Sequence, residues 1–155
     1  MTTDDRWLVD SMWRATDLTR AYLAQNRSLI ATCLTGLDAG RLERVLAWLV
    51  LDHDDLFDTL GEPSMTVRQI NGLAALAPLE HEYATTTAIH RVAAKESTLT
   101  QALEDLAPLD RIHTIAICTA VMLLEAYGRA HALKQLDNDA AHYEHLGYPR
   151  PYTIA

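Results

Sequence analysis

A histidine interrupts a leucine stripe near the middle of this 155-residue chain. Leu42, Leu46, Leu49, His53, Leu56 and Leu60 recur at alternating intervals of four and three, the spacing of one face of an α-helix. A polar ring set into an apolar face needs a partner there. In an antiparallel bundle, His53 lies about 21 Å along its helix at ~1.5 Å per residue. The same depth falls near Tyr22, Glu82 and Glu125 on the neighbouring segments. Tyr22, His53, Glu82 and Glu125 are therefore the candidate ligand-binding layer. One imidazole and two carboxylates could serve a small ligand as acid and base, and His53, Glu82 and Glu125 could hold a divalent metal. The plainer reading is a structural layer in which His53 is hydrogen-bonded to a carboxylate.

Other groups carry weaker signals. Asp139, His142 and His145 follow i, i+3, i+6 spacing and could hold a surface zinc or nickel ion. His113 and His131 share a helix face but are about 27 Å apart at ~1.5 Å per residue, too far for one site. Each is expected near a bundle end, as a partly exposed or capping histidine. Asp54, Asp55 and Asp58 turn away from the leucine stripe and read as a solvated acidic face, with Asp52 at its edge. Their spacing lacks the central Gly and distal Glu of a calcium loop. Helix-bundle di-iron proteins use Glu-x-x-His pairs, which this sequence lacks. The stretch from Thr66 to Ala77 resembles the first helix of a helix-turn-helix. That likeness fails at Pro78 and at Leu79-Glu-His-Glu82, whose acids would repel phosphates. No nucleophile elbow, phosphate loop or dinucleotide fingerprint is present. Cys33 and Cys118 lie in apolar patterns and read as buried free thiols.

The elements that must position these residues are helical. The fold class is all-α, an antiparallel up-down bundle of four long helical segments plus one short helix. The segments run over about 4–34 and 39–60, then from Ser64 or Thr66 through Val92, and over about 98–106 and 109–136. Thr3 or Asp4, Asp38, and Ser64 or Thr66 can cap starts, Thr66 with Gln69 having capping-box spacing, and Gly36 and Gly61 can end helices. Pro78 should kink or break the third segment near Ala77, and Pro108 suits the start of the last. Residues 115–124 are apolar nearly all round, so that helix is either central or faces a second subunit. Residues 1–136 read as one domain. Residues 137–155 read as a polar, then Pro/Tyr-rich arm that packs on a neighbour or is disordered.

Composition bounds the function. The net charge of −8 and isoelectric point near 5.2 argue against a general nucleic-acid or anionic-membrane binder. The apolar runs are too short to span a bilayer, and the start, MTTDDRW, lacks a signal-peptide core. A cytoplasmic protein is expected. Arginine outnumbers lysine 11 to 2, which suggests a GC-rich bacterial genome. No motif requires a cofactor, and the cofactor is unknown. The expected function is a non-enzymatic interaction, regulatory or assembly protein, a homodimer or bound to another protein, with Trp7, Trp13, Trp48, Tyr148 and Tyr152 as interface candidates. The alternative is a small-ligand or metal-binding bundle, conceivably an enzyme, with its site around His53.

Overall fold

The computed structural model describes residues 3–154, with side chains from Asp5 onward. The expected first caps, Thr3 and Asp4, lie outside the described side chains. The fold is all-α. Among the described residues there are eight helices and no strand. They are α1 (Thr3–Leu23), α2 (Arg27–Thr32), α3 (Ala39–Thr59), α4 (Val67–Ala74), α5 (Leu79–Ala93), α6 (Leu99–Glu104), α7 (Pro108–Tyr127) and α8 (Arg129–His145).

Local chemistry explains most boundaries. Asp38 accepts a hydrogen bond from the Arg41 N–H and starts α3. Thr66 does the same for the Gln69 N–H at α4. Thr98 and Gln101 form a reciprocal capping box at α6. Pro78 separates α4 from α5, because its ring cannot continue the helix before it. Pro108 opens α7, where a missing N–H costs nothing.

Two expected single helices are broken. The first stops at Leu23 because Gln25 turns left-handed at φ 58°, and Asn26 then caps α2 by accepting from the Leu29 N–H. The last stops at Gly128, whose φ of 80° suits a residue without a Cβ. Helical structure then resumes and runs to His145, through residues expected to form the arm.

The core is built around α7. It packs against α1, α3, α4, α5 and α8, and every residue from Ile112 to Leu123 is buried. Each large apolar side chain there contributes about 1.5–3 kcal/mol by leaving water. Of the two readings of this apolar helix, the central position is the observed one.

The polar side of α1 is covered rather than solvated. Asp10 pairs with Arg14 and Arg41, both at 3.0 Å. Asp17, 3% exposed, accepts a bidentate pair of hydrogen bonds from Arg150 at 2.9 and 3.0 Å and another from the Tyr152 hydroxyl. The Trp13 indole N–H donates to the Tyr148 carbonyl at 2.8 Å. Arg150 stacks on Trp13, and Arg14 on Tyr152. The last residues therefore close over α1 of their own chain. A buried carboxylate needs such partners, and they come from 133 and 135 residues away.

Candidate functional site

A groove of about 610 Å³ falls within the ~300–1,000 Å³ range of small-molecule sites. α3 supplies Val50, His53 and Phe57, and α7 supplies Ile115, Cys118 and Met122. The far wall comes from the end of α5 and from α6, with Val92, Leu99 and Leu103. The rim is polar, with Asp54, Glu62, Ser64, Lys95 and Thr98. Glu62 and Lys95 hold φ values of 56° and 61°. Left-handed backbone at a non-glycine residue costs on the order of 1–3 kcal/mol and clusters at binding sites.

His53 is the buried polar group on this wall, at 7% exposure. Its ring stacks on Phe57, centroids 5.8 Å apart. Nδ1 lies 3.0 Å from an Asp54 carboxylate oxygen, so in the neutral ring Nδ1–H donates to Asp54 and Nε2 is left as an acceptor. Nε2 has no partner among the described residues. Among the described residues the sealed, unpartnered side-chain atoms are Arg41 Nε and Thr114 Oγ1, so His53 Nε2 is not sealed, and the residue lines the groove. Cys118 also lines the groove, but burial pushes its thiol up to about 12. It is an inert wall. Burial likewise pushes the Cys33 thiol up to about 12.

The four residues of the expected polar layer do not converge. Glu125 stands at the surface and accepts from the Thr66 N–H at 2.9 Å and the Thr66 hydroxyl at 2.8 Å. It supports the start of α4, where negative charge is favourable. Glu82 lies in the first turn of α5, a position with the same electrostatic benefit. Depth along a bundle fixes an axial position but not which way a side chain faces, and Glu125 faces outward.

Tyr22 is fully buried at the end of α1 and pairs with His113 instead. Its hydroxyl is hydrogen-bonded to His113 Nδ1 at 2.7 Å. His113 is 2% exposed, not the partly exposed end residue expected. Burial, with His81 close by, holds its pKa down to about 4. The His81 ring stacks on it with centroids 5.4 Å apart, and His81 Nδ1 sits 2.7 Å from Asp110. This Tyr22–His113–His81–Asp110 row joins α1, α5 and α7 in one satisfied polar cluster. Sequence reading missed it because it needs the α1 break at Leu23.

Neither proposed metal set assembles. Among the described residues, no group of three His, Cys, Asp or Glu side chains could hold a metal ion. His53, Glu82 and Glu125 point to different surroundings. Asp139 stands at the mouth of a second cleft, whereas His142 and His145 are exposed further along α8. Residues six apart on a helix are rotated by about 240°, so the three cannot face one ion.

The interface candidates divide. Trp13 is completely buried under Tyr143 and Arg150, and Tyr152 is held by Asp17. Trp7 carries Arg41 on its ring face. Trp48 and Tyr148 border a shallow hollow of about 460 Å³ with Leu8 and Met12. No helix among the described residues is long and apolar enough to cross a membrane. Comparison with protein-family models, with curated proteins and with solved structures found no match.

Proposed function

We propose that this chain is a binding protein for an elongated, largely apolar small molecule that carries one hydrogen-bond donor. The groove beside His53 is the observation behind this reading. Its walls would take an aliphatic or aromatic body. Nε2 of His53 would accept a hydrogen bond from a hydroxyl or amide N–H at the polar end. Asp54 serves as the positioning partner that keeps Nε2 an acceptor. Neither a catalytic motif nor a reactive thiol supports chemistry at this wall, so the reading is binding without turnover.

The test is a fluorescence titration with a dansyl-tagged long-chain alcohol and its methyl ether. The alcohol should bind about tenfold more tightly, a difference of about 1.4 kcal/mol. His53→Leu should erase that preference while retaining the body's affinity. Equal binding of alcohol and ether by the unaltered protein would rule the reading out.

A second reading keeps the homodimeric interaction protein expected from the sequence. It is favoured by the hollow around Leu8, Met12, Trp48 and Tyr148, where Leu8 is 48% exposed. Sedimentation at micromolar concentration tests it. A dimer that Leu8→Lys dissociates would support it, and a monomer throughout would dismiss it.

A further inference from the structure

We propose that a second cleft, between α1, α3, α7 and α8, binds a small organic cation, with Asp52 and Asp139 as its counter-charges and the Thr19 and Thr119 hydroxyls as its floor. The cleft has a volume of about 280 Å³, and none of its lining residues is a lysine or arginine. It shares no lining residue with the groove of the first site.

Four threonines and three aspartates dominate the polar lining, with Gln135, Tyr127 and Tyr143 beside them. Thr119 donates its hydroxyl to the Ile115 carbonyl at 2.9 Å, whereas Thr16, which donates to the Met12 carbonyl at 3.0 Å, is also hydrogen-bonded to Tyr143. A hydroxyl that has given its proton to its own helix presents only lone pairs. Asp52, Asp55 and Asp139 add carboxylates. Thr19 is 4% exposed, lines the cleft and has no hydrogen-bond partner among the described residues. It is not among the sealed, unpartnered atoms, so its hydroxyl opens on the cleft. A buried polar group without a partner is costly unless something comes to meet it.

Three carboxylates with no lysine or arginine among the lining residues favour a ligand that brings positive charge and donors. An ammonium group does both. Tyr143 and Tyr127 flank the space, and aromatic rings are favourable neighbours for a cation. The carboxylates already sense the missing charge. Although Asp52 and Asp139 keep solvent on one side, the walls push the Asp52 carboxyl up to about 6, and the charges of Asp139 and Asp55 add to that. Burial also raises Asp139. A divalent metal fits less well, because no three of these carboxylates are arranged to hold one.

The sequence had placed Asp55 on a solvated acidic face and Asp52 at its edge. Both residues are exposed, and the α8 helix, resuming after Gly128, brings Gln135 and Asp139 to the same cleft.

The experiment is isothermal titration of the full chain with putrescine and, separately, with magnesium chloride, at low ionic strength. Putrescine should bind saturably. Asp52→Asn and Asp139→Asn should each weaken it about tenfold, the scale of losing one close charge partner. Thr19→Val, folded by circular dichroism, should weaken it by a smaller factor. The same variants should leave the groove's affinity for the long-chain alcohol unchanged, which separates this site from the first. No saturable binding of putrescine would overturn the proposal. So would an unchanged affinity in Asp139→Asn, or magnesium binding more tightly at the same residues.

Discussion

The two sides of α3 carry opposite chemistries on neighbouring residues. His53 faces an apolar groove, whereas Asp52 faces an acidic, hydroxyl-lined cleft. α7 repeats the division. Cys118 and Met122 line the groove, and Thr119 and Leu123 line the cleft. Each step of one residue turns a helix by about 100°. Two adjacent helices can thus wall two cavities whose ligands would have nothing in common. The difference lies in what closes each space. α5 and α6 close the groove with apolar side chains, and α8 closes the cleft with polar ones.

The shared wall is where that comparison breaks most severely. Leu49 is fully buried on α3. Leu49→Ala should cost about 2–5 kcal/mol, through lost burial and the cavity it leaves, and should weaken both sites together. Urea unfolding measures the stability loss. If one site kept its affinity, the wall would not be shared.

The C-terminal segment should separate the two sites. It holds the end of α8 against α1 through Arg150, Tyr152 and Asp17. Arg150→Ala should lower stability by about 1–3 kcal/mol, because Asp17 keeps its burial and loses its cation. Putrescine binding should weaken with it, and alcohol binding in the groove should not. Equal losses at both sites would show that α8 supports the whole core rather than one wall.

Acid provides a finer division. His113 is held down to about 4, so the stability that depends on its neutral form is present above pH 6.5 and lost as pH falls towards 4. Its full burial puts that loss on the order of 3 kcal/mol. Asp52 works in the other direction. Its carboxyl sits at about 6 against an ordinary 3.8, so its favourable contribution is complete below pH 3.8 and is lost as pH rises through 6. Asp52→Asn should therefore raise the melting temperature at pH 7.5, by an amount equivalent to about 1 kcal/mol or less given the solvent at the cleft mouth. The gain should vanish near pH 4. A gain that grew on acidification would contradict the assignment.

Much of the frame was legible because its signals are local. Asp38 and Gly61 bracket α3, Pro78 parts α4 from α5, and the apolar run of α7 announces the centre of the fold. His53 was legible as an exception in its stripe. Its surroundings were not, since they depend on α5 and α6 reaching across to α3. Gly128 was absorbed into a continuing hydrophobic face, although its left-handed backbone is what redirects α8. The acidic face of α3 is exposed, as its spacing indicates, but the cleft beside it was not legible because its other side arrives more than eighty residues later, as Asp139. The partners of Asp17 lie at the far end of the chain, where no spacing rule connects them.

Backbone amide and methyl NMR of one sample, titrated first with the long-chain alcohol and then with putrescine, tests the central claim directly. The account predicts that the alcohol moves Cys118, Met122 and Ile115, that putrescine moves Thr19, Thr119 and Asp139, and that neither displaces the other. A common set of shifted residues, or competition between the two probes, would contradict the existence of two separate sites on α3.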